Sequence, residues 1–151
     1  MAKFDIELPN DLIKQFQALG TDCKKMFEAM TQAGAEVVYK NVIHNMRGSF
    51  KDSSKLEPYL RITKKYTTKD GSINTKVAFY GYYKEGERVY RYKRKSKEYS
   101  YKGIPVPLIV RAREFGSSSG EQKKPFFRKS FRKSEIEKAM LEEQKKFLPK
   151  E

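Results

Sequence analysis

The sequence predicts an α+β protein in which a long N-terminal helix packs on an antiparallel β-sheet, with a protruding basic hairpin and a C-terminal helix. Apolar residues recur at helical spacing through the first third of the chain. They alternate with polar residues through the middle, and helical spacing returns near the end. The 151 residues have the length of a single domain. Within it we assign a helical part to 1–57, antiparallel strands to 58–103, and a short helix, a loop and the C-terminal helix to 104–151.

The N-terminal helix is predicted from an apolar stripe that runs from Leu12 to about Met46. Pro9-Asn10 suits a helix start, and residues 20–22 can end one helix and cap the next. Gly34 lies inside the stripe, where glycine costs about 1 kcal/mol relative to alanine. A glycine on an apolar face indicates that another element comes close to it.

Two alternating stretches, Tyr59–Thr67 and Ile73–Gly81, are predicted to pair as a hairpin. Between them lies Asp70-Gly71, which suits a tight turn because glycine accepts a positive φ. The alternation places Leu60 and Ile73 on an apolar face that the helix covers, and leaves a basic and aromatic face outside.

Residues 84–102 are predicted to form a second, protruding hairpin, which we call the basic arm. Its tyrosines at 90 and 92 face those at 99 and 101 across a polar tip. The arm holds too little apolar material for a core hairpin. Its cations are candidates for contact with DNA or with a partner: Arg88, Arg91, Lys93, Arg94, Lys95 and Lys97.

The segment Leu108–Phe115 is predicted to be a helix rather than a strand, because Leu108, Ala112 and Phe115 share a helical face. Gly116 suits its C-terminal cap. The Gly- and Ser-rich residues that follow are predicted to form a loop within one domain, because the aromatic residues on both flanks need burial.

The C-terminal helix is predicted to open at Pro125, with a second start at the capping-box sequence that begins at Ser134.

Positive charge is concentrated in the middle of the chain. The formal net charge is +14, and residues 58–134 hold 21 basic and 6 acidic side chains. Such a surface attracts nucleic acid or an acidic protein face. No segment approaches the roughly 18 continuous apolar residues of a membrane span. The start of the chain also lacks the apolar core of a signal peptide, so we expect a cytoplasmic protein without a membrane partner.

Catalytic chemistry finds little support in the residues. The chain has one histidine, His44, and one cysteine, Cys23, and it lacks the sequence motifs of nucleotide-binding loops and zinc proteases. We therefore predict no enzymatic activity, no metal and no cofactor. Two classes remain open. One is a basic, sequence-independent nucleic-acid-binding protein, and the other is an assembly subunit whose copies complete one another's burial.

The stretch Ile109–Phe131 reads IVRAREFGSSSGEQKKPFFRKSF. It resembles the phage tail-component family typified by gene product ten of the long-tailed phage HK-ninety-seven. In that family an apolar segment ends in a glutamate and a glycine, and a polar loop and a Pro-Phe pair follow. The matching residues here are Glu114, Phe115, Gly116 and Ser117 in the first half, and Pro125, Phe126 and Phe127 in the second.

The resemblance implies a structural virion protein of the neck, assembled in the host bacterial cytoplasm, that acts in tail completion or head–tail joining. It implies a homo-oligomeric ring, often a hexamer. The expected partners are portal-adaptor or stopper proteins on one side and tail-tube or tail-terminator proteins on the other. The seven matching residues are the expected subunit or partner interface. The basic arm is expected to face packaged DNA or a neighbouring subunit.

Overall fold

The computed structural model describes residues 23–86, 90–95 and 97–148. Within these ranges the protein is α+β, as predicted. Its helices are α1 (Cys23–Ser49), α2 (Val106–Phe115) and α3 (Lys133–Phe147), with one-turn 3-10 helices at Ser53–Lys55, Glu57–Tyr59 and Arg128–Ser130. The part of the predicted N-terminal helix that precedes Cys23 lies outside the described residues. No helix in these ranges combines the length and the apolar character of a membrane span.

The strands are short and pair two by two. They are β1 (Leu60–Ile62), β2 (Tyr66–Thr67), β3 (Ile73–Asn74), β4 (Val77–Phe79), β5 (Tyr82–Tyr83), β6 (Tyr90–Arg94), β7 (Lys97–Tyr101) and β8 (Ile104–Pro105). β1 pairs with β4, and the pairs β2–β3, β5–β8 and β6–β7 are antiparallel. The described strands therefore form separate ladders, and the prediction of one antiparallel sheet is wrong.

The first ladder is interrupted by an extra residue beside Thr63. The Thr63 N–H donates to the carbonyl of Lys76 (2.8 Å), but the Lys76 N–H donates to the Thr63 hydroxyl (2.9 Å) instead of its carbonyl. Tyr66 pairs with Asn74. The three residue steps from Thr63 to Tyr66 therefore lie opposite only two steps, from Lys76 to Asn74, as in a β-bulge. The alternation fails there. Asn74 is buried and Ile73 is only half-buried, the reverse of the prediction.

The turn between these strands has the predicted glycine geometry. Gly71 has φ +85°, and its N–H donates to the Thr68 carbonyl (3.0 Å). The Thr68 N–H closes the turn on the Ser72 carbonyl (2.9 Å). This is a three-residue hairpin loop with glycine at its left-handed position.

The chain forms two compact units, each built from segments that are distant in sequence. One takes in the described parts of Met1–Val42, Ile62–Ala78 and Ser130–Glu151, and the other takes in Ile43–Arg61 and Phe79–Lys129. The buried apolar side chains of the first unit are Met26, Met30, Ala35, Val38, Val42, Val77, Ile136 and Met140. Those of the second are Met46, Leu56, Leu60, Phe79, Val106, Val110 and Phe126. The single domain stays a prediction.

Within the first unit, Gly34 lets α1 and α3 approach closely. A Cβ on Gly34 would lie 3.1 Å from Cγ2 of Ile136 and 3.4 Å from the side chain of Met140. Both neighbours are buried. The close neighbour predicted for this glycine is confirmed.

The C-terminal helix begins at Lys133, so the prediction that Pro125 opens it is wrong. The helix does restart near Ser134, but its N-cap is Arg132 and no side chain caps it, so the predicted capping box is not formed. Between Pro125 and Lys133 the helical structure is the one-turn 3-10 helix Arg128–Ser130. The backbone N–H groups of Phe126, Phe127 and Arg128 bond to a side-chain carboxylate.

Candidate partner-binding site

The site is built around the carboxylate of Glu114, in the last turn of α2. Its Oε2 accepts hydrogen bonds from the N–H groups of Phe126 (2.8 Å) and Phe127 (2.9 Å). Its Oε1 accepts from the N–H of Arg128 (3.2 Å) and from the Arg128 guanidinium (3.0 Å). The Glu114 side chain is only 4% exposed. Such a buried charge is tolerated because both of its oxygens have donors.

Two opposed effects set the pKa of Glu114. Burial acts to raise this pKa, and the hydrogen bonds from the backbone of Phe127, Phe126 and Arg128 and from the Arg128 side chain act to lower it. The hydrogen bonds outweigh burial, so the pKa lies below its usual value. Glu114 is therefore an ionised structural anchor rather than a proton donor.

The spacing of α2 explains why this glutamate points inward. Val106, Val110 and Glu114 recur every four residues, and all three are buried. The helix ends as predicted at Gly116, whose φ of +80° favours glycine. A Cβ there would also lie 3.1 Å from the carbonyl oxygen of Glu121, so the chain can reverse tightly.

The Gly- and Ser-rich segment folds back on itself and on α2. The Ser117 N–H donates to the Glu121 carbonyl (3.1 Å), and the Gly120 N–H donates to the Ser117 carbonyl (3.2 Å). The Lys124 N–H then donates to the carbonyl of Arg113 (2.9 Å). The segment is a closed loop within the second unit.

Arg113 joins α2 to the segment that follows α1. Its guanidinium donates to both oxygens of Asp52 (2.6 and 2.8 Å), and it lies 4.8 Å from the ring centroid of Phe50. Its Nε is 3.5 Å from a carboxylate oxygen of Glu121. The hydrogen bonds between the Arg113 guanidinium and the Asp52 carboxylate are the main cause of two pKa shifts. They lower the pKa of Asp52 and raise the pKa of Arg113.

An aromatic cluster completes the core beneath the loop. Phe126 is fully buried, and its ring meets that of Phe50 edge-on at 5.0 Å. The rings of Phe79 and Phe127 lie at 6.3 and 6.4 Å from it. Edge-to-face contacts of this kind add to the free energy gained from burial.

Comparison with protein families gives one match. Residues 10–83 match the HK97-gp10-like family model, whose description is 'Bacteriophage HK97-gp10, putative tail-component'. Over these residues the chain is similar to the HK97-gp10-like family of phage tail components. The family predicted from the sequence is thus confirmed, although the match ends before the 109–131 stretch on which the resemblance was argued. No curated protein and no solved structure matches the chain.

The match supports a phage structural role, as a tail component, for this chain. In the part of the tail-component protein that is described, no group of His, Cys, Asp and Glu side chains has the arrangement needed to hold a metal ion. Asp52, which lies near His44 in the sequence, is paired with Arg113.

The predicted interface residues separate into three groups by exposure. Glu114 and Phe126 are buried, so their contacts here are within the subunit. Gly116, Ser117, Pro125 and Phe127 are half-buried. Phe115 is 55% exposed, so the burial predicted for it is not supplied within the subunit. The interface itself stays a prediction.

The outer face of α2, formed by Leu108, Arg111 and Phe115, is the part of this site that a partner can reach. Leu108 is 44% exposed, and Arg111 is also exposed. The guanidinium of Arg128 lies 4.9 Å from the ring centroid of Phe115. Apolar and cationic groups therefore share this surface.

The basic arm is described only in part. Arg88 lies outside the described residues, and Arg91, Lys93 and Arg94 lie on β6. Lys95 has φ +47° in the turn, Lys97 opens β7, and both are exposed. β6 and β7 pair with Tyr90 opposite Tyr101 and Tyr92 opposite Tyr99. Protrusion of the arm, and contact with DNA or a neighbour, stay predictions.

Sequence reasoning missed the pairing of Arg113 with Asp52, because its partners are 61 residues apart and no local pattern joins them. It also did not predict that the Glu114 side chain points into the core. The spacing of Val106, Val110 and Glu114 was the available signal for that direction.

Proposed function

We propose that this tail-component protein is a subunit of the head–tail connector, or neck, and that it acts in tail completion or head–tail joining as an oligomeric ring. The observation that carries the proposal is the outer face of α2. Leu108 and Phe115 are seven residues apart, which brings them to the same side of a helix two turns apart. The opposite side of α2 is packed in the core of the second unit.

An apolar stripe on the solvent side of a core helix favours a protein partner. Single exposed apolar residues are ordinary on protein surfaces. Here two large ones lie on one face, 44% and 55% exposed, with Arg111 between them and Arg128 beside them. Arginine and aromatic residues are enriched at protein interfaces. Full burial of each apolar side chain would contribute about 1.5–3 kcal/mol.

A ring follows if this face meets a different surface on the next copy. Such heterologous contacts close into rings when the rotation between copies allows it. The two open ends of the ring would then meet portal-adaptor or stopper proteins and tail-tube or tail-terminator proteins. Assembly would take place in the host bacterial cytoplasm.

The test measures the oligomeric state of the full chain by light scattering over a range of concentrations, alone and with tail-tube protein. We expect wild-type oligomers and a shift to monomer for the double variant Leu108→Ser and Phe115→Ser. Leu141→Ser on α3 is the matched control, since Leu141 is 53% exposed. Far-UV circular dichroism establishes that each variant is folded.

A strict monomer under every condition, or equal loss of oligomers with Leu141→Ser, contradicts the proposal. In infected cells that supply only the double variant, we expect unjoined heads and tails by electron microscopy. Normal virions would contradict the assignment to head–tail joining.

A further inference from the structure

The outward face where β1 meets β4 carries tyrosines and a cation. The Tyr80 N–H donates to the Tyr59 carbonyl (2.9 Å), which places the two residues opposite each other. Leu60 and Phe79, their neighbours in sequence, are buried. Arg61 and Tyr80 are exposed and Tyr59 is half-buried, so these three side chains lie on the outer side.

These residues line a concave site of about 380 Å³ that we call the tyrosine cleft. It combines flat rings with two cations and one carboxylate: Tyr59, Tyr80, Tyr82, Arg61, Lys84 and Glu85. All of them belong to the second unit.

The tyrosines of the cleft differ in their packing. A Cβ on Gly81 would lie 3.1 Å from Cδ1 of Tyr59, so the Tyr59 ring rests on the Gly81 backbone. The Gly81 carbonyl accepts a hydrogen bond from the Val106 N–H (3.0 Å), which ties this wall to the start of α2. The Tyr80 side of the cleft is different, since Tyr80 is 41% exposed. Its ring has a surface on which a flat ligand can stack.

The cations lie beside these rings. Arg61 is exposed on the strand next to Tyr59, and Lys84 is exposed where the chain turns with φ +53°. The Lys84 ammonium lies 5.9 Å from the ring centroid of Tyr83. With Glu85 as the one carboxylate, the cleft has a net positive charge. A ligand with flat rings and negative charges fits both features.

We propose that the tyrosine cleft binds single-stranded nucleic acid, with one base stacked on Tyr80 and neighbouring phosphates paired with Arg61 and Lys84. Proteins that bind single strands without reading sequence combine aromatic platforms with cations. Duplex bases are already stacked on one another, so a strand must be single to reach the Tyr80 ring. A protein partner is less well matched, because lysine and glutamate, here Lys84 and Glu85, are depleted at protein interfaces. This site is separate from the outer face of α2, and the proposal does not rest on a role in the neck.

The first test measures fluorescence anisotropy of labelled oligonucleotides of about 20 nucleotides: single-stranded dT, single-stranded rU and a duplex. Arg61→Gln and Tyr80→Leu are each expected to weaken single-strand binding about fivefold or more at low salt. Lys129→Gln removes the same charge from an exposed position outside the cleft and should change binding less than about twofold. Arg61→Gln should also reduce the slope of log K against log salt by about 0.7. Binding of either single strand supports the cleft, and the tighter one identifies the ligand.

The second test uses tyrosine emission. The chain has ten tyrosines and no tryptophan, so its emission reports tyrosine directly. Addition of oligo-dT should quench the emission, and Tyr80→Leu should remove most of that quenching. Folding of each variant is checked by circular dichroism.

Three results would overturn the proposal. Equal effects of Arg61→Gln and Lys129→Gln would mean that the positive field acts without a site. Duplex binding as tight as single-strand binding, unaffected by Tyr80→Leu, would mean that phosphates alone are recognised. Loss of association with tail proteins in Tyr80→Leu, with nucleic-acid binding intact, would make the cleft a protein contact.

Discussion

The carboxylate of Glu114 lies 2.8 Å from the backbone nitrogen of Phe126, twelve residues further along the chain. This contact closes the loop that the Gly- and Ser-rich segment forms. It also explains why a glutamate, a glycine and a Pro-Phe pair occur together in this stretch. The glutamate supplies the acceptor, the glycine permits the reversal, and the phenylalanine enters the core.

We predict that Glu114→Gln lowers the free energy of unfolding by about 2–3 kcal/mol, measured by urea denaturation. The amide removes the charge that pairs with Arg128 and points a donor at other donors. Glu137→Gln is the control, because Glu137 is 54% exposed and 3.6 Å from Lys133. Glu137→Gln should lower the free energy of unfolding by less than about 0.5 kcal/mol. Equal losses in the two variants would contradict the anchoring role of Glu114.

We predict that acid destabilises the protein through the carboxylates whose pKa is lowered. Glu114 and Asp52 both have a pKa below the ordinary value. Their contribution is complete above the unfolded-state pKa of about 4 and is lost as the pH falls through the lower folded-state values. The urea concentration at the midpoint of unfolding should therefore decrease once the pH is lowered below about 4. Glu114→Gln should show a smaller fall, and an identical pH profile would contradict the prediction.

We predict that Arg113→Lys destabilises the protein by about 1–2 kcal/mol, because lysine cannot form the two-pronged contact with Asp52 or lie flat over Phe50. Arg111→Lys, at an exposed position of the same helix, should change stability by less than about 0.5 kcal/mol. The two arginines are two residues apart, so local helix propensity is matched.

A double-mutant cycle with Asp52→Asn isolates the interaction of Arg113 with Asp52. We expect a coupling energy of about 1 kcal/mol or more between these positions. A coupling energy near zero would mean that Arg113 acts only through its packing on Phe50.

We predict opposite effects for two glycines of α1. Gly34→Ala should destabilise the protein by about 1 kcal/mol, because the new Cβ would meet the buried Ile136 at 3.1 Å. The new Cβ of Gly48→Ala would have no other atom within 4 Å. This variant should therefore stabilise the protein by up to about 1 kcal/mol through helix propensity. Thermal unfolding of both variants measures the difference. Stabilisation by Gly34→Ala would contradict the close approach of α1 and α3.

Local features were predictable because they depend on neighbours in sequence. Helical spacing identified α1 and α2, and the need for a positive φ identified the turns at Gly71 and Gly116. Gly34 was predicted to face a close neighbour because a glycine is otherwise unfavourable in an apolar stripe. Each of these inferences uses a property of the backbone or of one helical face.

The predictions that failed depended on distant hydrogen bonds. No α-helix opens at Pro125, and the N–H groups of the next three residues bond to the distant Glu114. Asn74 is buried in place of Ile73, because the Thr63 hydroxyl takes the hydrogen bond that would continue the ladder. Alternation and proline position do not reveal either of these side-chain acceptors.

By itself, the sequence determined that Leu108, Ala112 and Phe115 share one face of a short helix that ends at Gly116. It also determined that positive charge is concentrated in the middle of the chain. Only the tertiary structure decided that Leu108 and Phe115 lie outside and that the face of Val106, Val110 and Glu114 is the buried one. The physical reason is that a carboxylate can be buried only where donors converge on it. The donors at residues 126–128 reach Glu114 only through the path of the whole loop.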